Sequence, residues 1–447
     1  MKIIHYLHGL PPVRTGGLIT YALDLVACQR DIGHEVFLLL PGSTHRLSKR
    51  NKIRRRESWN GIPVFRINNA SPVPMGKGIS RPQIFMRHGN FQDFSDFWQW
   101  LRPDVIHVHS LMGLYPELIE AASKNHIKTV FTTHDYFGLC CKPDRIDYQG
   151  KICNRDSWEE CAKCGLKAYS LLRMSFEQTR IFSFLMKNSR FADFLEALAL
   201  RKKHLAMVGK KRTVKSDMDS QDYLDLQKQY RKLLQNFDII HYNSRQSREI
   251  YHRLCPSLSH GYLISMVTAG IKDQRIHRPY QDAPIRLGFL GNSSYAKGLE
   301  TLIEITDELA ARQLVFSLQI FIRSPELDRA YIHQHDAFSP RQADEIYNSF
   351  DVLIVPSICE ETFSLVVLEA LSRGIPCIIS DTVGAKDLLK QVGGGMAYSG
   401  TDGLKNALIH IMEHPQLLTE WNSHIREARF QLDFRSYVEE LTSKYYK

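Results

Sequence analysis

The sequence has no apolar run long enough to cross a bilayer, for which about 18 consecutive residues are needed. Residues 1–8 form too short an apolar run for a signal peptide, and Pro11 and Pro12 interrupt the segment that follows. Glycine and proline are too scarce for a fibrous protein, and 43% hydrophobic with 24% charged residues argues against disorder. We therefore expect a folded chain without a membrane span or an export signal.

The nine cysteines are an odd number, which together with the absent export signal predicts reduced thiols in the cytosol and excludes a disulfide scaffold. Five of them lie close together in the sequence: Cys140, Cys141, Cys153, Cys161 and Cys164. Cys161 and Cys164 have the chelating C-x-x-C spacing, and two upstream thiolates would complete a tetrahedral structural zinc site. The alternative is a loop that carries reduced thiols without a metal.

The chain has 447 residues, more than one domain's worth, and a net charge of +10. The charge is concentrated in two runs, residues 46–56 and 201–215, each with seven Lys or Arg residues. Such runs are either solvated faces or surfaces that attract phosphates of nucleotides, lipids or nucleic acids.

Alternating strand and helix patterns occupy both halves of the chain and predict α/β folds with parallel sheets. We expect strands at 2–7, 35–40, 104–109, 128–133, 238–242, 285–290, 317–322, 351–355 and 376–380, and helices at 18–29, 116–123, 299–312 and 364–373. The segment 168–251 is long and charged, and its pattern predicts helices over most of its length. They form either a helical pair packed on the first domain or, in part, an amphipathic membrane contact.

The pattern predicts two Rossmann-like domains facing across a cleft. The first spans residues 1–270 with a helical, cysteine-containing insertion at about 140–235. A linker at 271–284 precedes the second domain, residues 285–425, and a helix at 426–447 is expected to pack back on the first domain. Ligands of open parallel sheets bind at the carboxyl ends of the strands.

The segment from Pro356 to Pro376 is the most specific motif, with a strand end, a loop, a helix and a glycine before the next strand. Glu361 falls in the loop and Glu369 in the helix. The helix begins near residues 363–366, where backbone N–H groups and the helix dipole favour a diphosphate. The two carboxylates suit sugar and ribose hydroxyls, although solubilising helix glutamates are the alternative interpretation.

This segment resembles the E-x7-E signature of the retaining GT-B glycosyltransferases of family 4, also called group 1. The strand–loop from Leu287 to Gly298 resembles the family's glycine-rich loop, whose lysine holds the donor diphosphate. Gly16 and Gly17 resemble its N-terminal glycine loop, and His134 its His-Asp segment. The resemblance covers residues 1–165 and 236–425.

The resemblance implies a cytoplasmic enzyme that moves a sugar from a nucleoside-diphosphate sugar to a saccharide or polyprenyl-linked acceptor, with retention and without a catalytic metal, in surface polysaccharide assembly. Contact with the anionic inner face of the membrane is expected, and nucleic acid is not an expected partner. The implied catalytic residues are His134 and Glu361. The implied donor-binding residues are Gly16, Gly17, Gly291, Lys297, Arg323, Thr362, Phe363, Ser364, Leu365 and Glu369. By likeness to a subset of the family, the zinc ligands are Cys140, Cys153, Cys161 and Cys164.

The sequence also departs from the family pattern. Asn292 stands where the family usually has an arginine, and Arg323 is expected to supply the missing cation. Thr362 and Ser364 replace glycines, so the donor sugar pocket is expected to be narrower.

Three other functions remain as alternatives. A sugar-nucleotide-binding protein without turnover keeps the fold, and a basic nucleic-acid-binding protein explains the charge but lacks a recognisable module. A dehydrogenase fits less well because no Gly-x-Gly-x-x-Gly follows the first strand. His134 has its own alternative, a strand-end histidine satisfied by backbone groups, and His109 faces either the core or the ligand.

Overall fold

The computed structural model describes residues 1–44, 49–155, 157–188, 220–258, 260–280, 284–292, 294–322, 327–336 and 342–446. The chain divides into two compact units. The first unit comprises Met1–Asn243, Arg248–Ile264 and Val438–Lys447, and the second comprises Ser244–Ser247 and Ser265–Tyr437.

The first unit is built on a sheet in which, within the described residues, eight strands pair. Its strands are β1 (Lys2–Tyr6), β2 (Glu35–Pro41), β3 (Ile53–Trp59), β4 (Ile62–Ile67), β5 (Val105–Val108), β6 (Lys128–Thr132), β7 (Ile239–Tyr242) and β8 (Gly261–Leu263). The strand order is β3-β4-β2-β1-β5-β6-β7-β8. Only the β3–β4 pair is antiparallel among these. The apolar centres of β1, β2, β5 and β6 are fully buried, as expected for parallel strands covered on both faces.

The helices of the first unit are α1 (Gly17–Asp31), α2 (Pro82–Phe85), α3 (Phe91–Leu101), α4 (Pro116–Lys124), α5 (Cys161–Gly165), α6 (Leu171–Glu177), α7 (Arg180–Leu185), α8 (Ser220–Gln235) and α9 (Arg245–Leu254). The first three residues of α9 belong to the second unit. α3 begins after the Asn90 cap, and α4 begins with a proline in its first turn.

The second unit has a parallel sheet with the strands β9 (Ile285–Leu290), β10 (Phe316–Phe321), β11 (Ile332–His335), β12 (Val352–Val355), β13 (Cys377–Ser380) and β14 (Gly395–Tyr398). Their order is β11-β10-β9-β12-β13-β14. The helices are α10 (Leu299–Ala311), α11 (Ala343–Tyr347), α12 (Leu365–Leu371), α13 (Lys386–Val392), α14 (Gly400–Glu413), α15 (Gln416–Glu427) and α16 (Phe434–Tyr445), the last of which continues into the first unit.

Both predicted α/β folds with parallel sheets are therefore confirmed. Of the basic run at 46–56, Arg54, Arg55 and Arg56 lie on β3, an edge strand, where charged side chains discourage pairing with another chain. Helices α5–α8 lie in the described part of residues 140–235, the segment predicted as an insertion. The second basic run, residues 201–215, lies outside the described residues. Within the part of the chain that the structure describes, no helix combines the length and hydropathy that a bilayer crossing requires.

Candidate functional site

The second unit brings two predicted loops together at the point where its strand order reverses. β9 pairs with β10 on one side and β12 on the other, so the loops after β9 and β12 leave the same edge of the sheet as neighbours. Such a switch point is where open α/β sheets bind ligands.

Lys297 and Glu361 meet at this edge. The Lys297 ammonium donates to Glu361 Oε1 at 2.7 Å, and the Ser357 hydroxyl donates to the same oxygen. Burial alone lowers the pKa of Lys297, but the Glu361 carboxylate outweighs it and the pKa is raised. Lys297 is therefore charged, and the pair offers a cation and a carboxylate side by side.

The backbone of Glu361 is fixed from two directions. Its N–H donates to the Thr382 carbonyl at 2.9 Å, and its own carbonyl accepts from Gly384 N–H at 3.0 Å and from the Gln246 side chain at 3.1 Å. The Thr382 hydroxyl in turn donates to the Ser357 carbonyl at 2.8 Å. The loop that carries Glu361 is thus held rigidly beside the segment that follows β13.

Gly298 allows the Lys297 loop to approach the loop after β12. Its φ is +71°, and an added Cβ would lie 1.7 Å from the Pro356 carbonyl oxygen. The Ala296 carbonyl accepts from Ile358 N–H at 2.9 Å across the same junction. Only glycine satisfies both the positive φ and the close contact.

Glu369 lies on α12, where it forms a separate set of contacts. Its Oε2 accepts from the Tyr347 hydroxyl at 2.6 Å. Burial raises the pKa of Glu369, and the Tyr347 hydroxyl and the Arg373 guanidinium offset part of that rise. The structure therefore places Glu369 with Tyr347 and Arg373 rather than with the Lys297–Glu361 pair.

The remaining predicted residues of this unit lie around the start of α12. Thr362, Phe363 and Ser364 are buried, and Ser364 is the N-cap residue of the helix that starts at Leu365. Gly291 follows β9, and Asn292 beside it is exposed. Arg323 lies outside the described residues.

In the first unit, His134 follows β6 and packs against α1. Its ring centroid lies 5.0 Å from that of Tyr21. Gly16 is the N-cap of α1, with a φ of +108°, and Gly17 is its first residue. Burial, and then the neighbouring His241 and His8, lower the pKa of His134 well below its usual value. His134 is therefore neutral at physiological pH.

A chain of buried histidines behind His134 was not anticipated. His109 Nδ1 lies 3.1 Å from His134 Nε2, and His109 Nε2 lies 3.0 Å from His5 Nδ1. Only His107 and His109, alternating on one strand, gave a signal in the sequence. His5 and His241 sit in apolar strands, and nothing local marks them.

The cysteine cluster centres on Cys141. Its side chain is hydrogen-bonded with Cys140, Cys161 and Cys164, and these bonds, together with burial, raise its pKa well above the usual value. The bond from Cys141 lowers the pKa of Cys164 to about 7, against the effect of burial. Cys153 lies half-buried in the same loop region, and burial raises the pKa of its thiol.

Within the described residues, the ligand atoms of His5, His107 and His109 lie within 4.8 Å of one another, a closeness that no trio of cysteines reaches there. The nitrogens of these histidines already bond to protein groups, as described below.

Comparisons with known proteins agree with this architecture. A family model described as "Glycosyl transferases group 1" matches residues 284–414, and one described as "Glycosyl transferase 4-like domain" matches residues 16–159. No curated protein sequence matches the chain significantly.

Several solved structures have a similar fold. Sucrose-phosphate synthase from Thermosynechococcus elongatus aligns with a TM-score of 0.59 and 14% identity, over 100% of this chain and 98% of that one. HepE of Anabaena in complex with UDP-glucose has a TM-score of 0.56 and 12% identity, over 99% and 98%. The catalytic domain of starch synthase IV from Arabidopsis thaliana, bound to ADP and acarbose, has a TM-score of 0.51 and 14% identity, over 99% and 98%.

The two family matches fall in the two sheet-bearing units and together cover most of the chain. Two parallel-sheet α/β units of this kind define the GT-B fold. The chain belongs to the group 1 glycosyltransferases.

Proposed function

We propose that the protein is a retaining glycosyltransferase of family 4 that uses a nucleoside-diphosphate sugar and works without a catalytic metal. The observation that carries the proposal is the Lys297–Glu361 pair at the sheet's switch point, 2.7 Å between ammonium and carboxylate. At this point the Lys297 ammonium can bind a diphosphate, and the neighbouring Glu361 carboxylate can accept hydrogen bonds from sugar hydroxyls. The HepE and starch synthase IV structures, with UDP-glucose and ADP respectively, support a donor of this class.

In this proposal Lys297 binds the donor diphosphate, and the N–H groups at the start of α12, near Ser364 and Leu365, face its oxygens. Charge held ready at the developing anion is the largest usual contribution to such catalysis. Glu361 accepts hydrogen bonds from the sugar, and Glu369 from the ribose. Gly291, Thr362 and Phe363 complete the donor site of the second unit. Gly16 and Gly17 are proposed as donor-binding residues on the family resemblance.

The reaction breaks the bond between the anomeric carbon and the diphosphate oxygen. The acceptor oxygen forms its bond on the same face, and its proton passes to the departing phosphate. No protein nucleophile is needed, and His134 binds the sugar near C6 or the acceptor. Arg323 is the proposed replacement for the arginine that Asn292 displaces; unchanged donor affinity in Arg323→Ala would remove it from the site.

We also propose that the acceptor is lipid-linked and that the protein contacts the anionic cytoplasmic face of a membrane during surface polysaccharide assembly. A pocket of about 570 Å³ in the first unit is lined by Arg50, Lys52, Arg56, Arg66 and Arg180. Leu172 and Phe184, each 76% exposed, lie on the adjoining helices α6 and α7. Cations beside exposed apolar side chains suit a phosphate attached to a lipid.

Vesicle sedimentation tests this surface. Arg56→Glu should weaken binding to vesicles that contain phosphatidylglycerol, while Lys124→Glu, an equal charge change on exposed α4, should not. Equal loss of vesicle binding in both variants would show that the effect comes from net charge alone. If the unaltered protein does not bind the vesicles, the membrane contact is contradicted.

A structural zinc held by Cys140, Cys153, Cys161 and Cys164 remains a proposal, and Cys141 competes for one position. Fit is supported by backbone N–H groups that donate to sulfur. Lys142 N–H donates to Cys140 Sγ at 3.4 Å, and backbone bonds at Cys153 and Cys164 oppose the rise in pKa that burial causes there. Such bonds stabilise metal thiolates. Zinc would fasten the loop after β6 and take no part in the reaction.

Metal analysis of protein purified under reducing conditions decides the point. One zinc per chain, lost in Cys161→Ser but kept in Cys28→Ser, supports the site. Protein that folds, binds donor and contains no zinc contradicts it.

The central experiment presents UDP-, GDP- and ADP-sugars to the protein and measures melting temperature and slow donor hydrolysis. One donor should raise the melting temperature and be hydrolysed, since a ligand that binds the folded state stabilises it. Stabilisation without hydrolysis or transfer would favour the non-catalytic alternative. Steep salt dependence of oligonucleotide binding, with no response to any donor, would favour the nucleic-acid alternative.

A further inference from the structure

A continuous hydrogen-bonded path runs through the interior of the first unit and ends at His134. It joins side chains from β1, β5, β6, β7, α1 and the C-terminal residues. In order they are Ile264 (backbone carbonyl), His241, Thr132, His107, Tyr446, Gln29, His5, His109 and His134. The eight distances are 2.8, 3.0, 2.7, 2.6, 3.2, 2.7, 3.0 and 3.1 Å.

The rings along this path are neutral. His5, His107 and His241 have no exposed surface. Burial lowers the pKa of His5 and of His241 to about 4, and burial together with the neighbouring histidines lowers the pKa of His109 well below its usual value. A neutral imidazole has one N–H donor and one acceptor nitrogen. A ring that donates a hydrogen bond through one nitrogen must therefore accept one through the other.

The carbonyl of Ile264 sets that direction because it can only accept. His241 Nε2 must carry the proton that faces it, so His241 Nδ1 accepts from the Thr132 hydroxyl. Thr132 has then used its proton and must accept from His107 Nε2.

The same reasoning continues through the C-terminal residues. His107 Nδ1 is now an acceptor and takes the proton of the Tyr446 hydroxyl, 2.6 Å away. Tyr446 can only accept from the Gln29 amide nitrogen, which turns the Gln29 oxygen toward His5.

His5 therefore donates through Nε2 and accepts through Nδ1. That nitrogen receives the proton of His109 Nε2, and His109 Nδ1 in turn accepts from His134 Nε2. Every donor on the path is now assigned, and no group is asked to donate twice.

We infer that this directional path fixes His134 in the tautomer with its proton on Nε2, so that Nδ1 is the nitrogen that accepts a hydrogen bond from a substrate hydroxyl. Tyr446 and Thr132 are positioning residues, which act on the substrate only through His134. The inference rests on the proposed function for the role of His134, but the tautomer itself does not depend on it.

The tautomer is tested directly by NMR on protein labelled with ¹⁵N-histidine at neutral pH. His134 is assigned by the signal lost in His134→Asn. The ¹⁵N shifts should show a protonated Nε2 and an unprotonated Nδ1. A proton on His134 Nδ1 overturns the inference. So does a bound metal ion, because an ion on His5, His107 and His109 would occupy nitrogens that the path uses.

Two substitutions break the path at different points. Tyr446→Phe removes the donor to His107 and the acceptor for Gln29, and Thr132→Val removes the hydroxyl between His107 and His241. In both, the segment that ends at His134 loses its connection to the Ile264 carbonyl. The His134 ¹⁵N shifts should move toward the average of two tautomers.

The controls keep the path intact. Thr132→Ser retains the hydroxyl and should retain the wild-type shifts. Tyr445→Phe removes the neighbouring hydroxyl, which donates to the Tyr262 carbonyl at 3.3 Å and is not on the path. Circular dichroism and melting temperature establish that each variant is folded.

Kinetics then test the positioning role. Once a donor is identified, kcat should fall about 10- to 100-fold in Tyr446→Phe and Thr132→Val, as expected when a partner that orients a functional histidine is lost. It should be unchanged in Thr132→Ser and Tyr445→Phe. Altered His134 shifts with unchanged kcat would overturn the positioning role. If the wild-type protein has no transferase activity, the proposed function fails, and the NMR result still decides the tautomer.

Discussion

The Lys297 ammonium and the Glu361 carboxylate lie 2.7 Å apart, although 64 positions separate the two residues in the chain. The pair exists because β9 and β12 are neighbours in the sheet and each ends in a loop at the same edge. In the proposed reaction, the Lys297 ammonium binds the donor diphosphate, and the Glu361 carboxylate accepts hydrogen bonds from the sugar.

Glu361→Ala should abolish transfer while leaving the fold intact. Lys297→Met should weaken donor binding by about 10- to 100-fold, because a hydrogen bond to a charged group contributes about 1.5–3 kcal/mol. Calorimetry with the responding nucleoside-diphosphate sugar measures the affinity, and product analysis measures transfer.

Lys405→Met is the matched control for the lysine. Lys405 also pairs with a glutamate of the same unit, Glu308, but on helices α14 and α10. Donor affinity should be unchanged there. Equal affinity in wild type and Lys297→Met would remove Lys297 from the diphosphate site, and a fully active Glu361→Ala would refute its role.

Gly298 provides a second prediction, with Gly400 as its control. Both have a positive φ, +71° and +69°, but an added Cβ meets the Pro356 carbonyl at 1.7 Å in the first and nothing within 4 Å in the second. Gly400→Ala should cost about 1 kcal/mol of unfolding free energy, the conformational part alone. Gly298→Ala should cost clearly more and should also displace Lys297. Urea unfolding and donor affinity measure the two effects. Equal losses in both variants would mean that the contact with Pro356 is unimportant.

Much of the second unit could be predicted from sequence. The strand at 285–290 agrees at both ends, and the loop around Glu361 was marked by its own residue pattern. β3 was missed because it is rich in arginine and mostly exposed, so it lacks the apolar alternation by which strands are recognised. Its partner β4 is mostly buried and was missed as well. The path behind His134 could not be predicted, since its members come from separate strands, a helix and the C-terminal residues and meet only in the folded protein. His5 faces His107 across β1 and β5, and Thr132 faces His241 across β6 and β7.

A third prediction concerns Arg14 and Glu177, whose charged groups lie 3.0 Å apart with only 9% and 10% of their side chains exposed. The bond joins the loop before α1 to helix α6. Glu177→Gln should destabilise the protein by about 3 kcal/mol, because removing one partner leaves a buried charge without compensation. The double variant Arg14→Met/Glu177→Leu should recover part of that loss. Urea unfolding measures both.

Glu160→Gln is the control for this pair. Glu160 bonds to Lys163 at the surface, where solvent screens the interaction, so little change is expected. A Glu177→Gln variant as stable as Glu160→Gln would show that the buried pair contributes nothing to stability.

The buried histidines predict that the protein loses stability on acidification. Burial lowers the pKa of His5 and His241 from 6.5 to about 4, and it lowers those of His107, His109 and His134 in the same direction. Their contribution to stability is complete above pH 6.5, where both states are neutral. As the pH falls from 6.5 toward 4, the unfolded state takes up protons that the folded state refuses, so stability declines across that window.

Each histidine whose pKa is lowered to about 4 should reduce the free energy of unfolding at pH 5 by roughly 2 kcal/mol relative to pH 7. The reason is that one pKa unit corresponds to about 1.4 kcal/mol. Urea unfolding at a series of pH values gives the slope, and the slope gives the number of protons taken up on unfolding. His5→Asn should reduce this number by close to one. His88→Gln, which alters a side chain that is 89% exposed, should leave it unchanged. A flat profile between pH 7 and 5 would mean that the folded state takes up these protons as readily as the unfolded state, and burial would then not lower the pKa values of these rings.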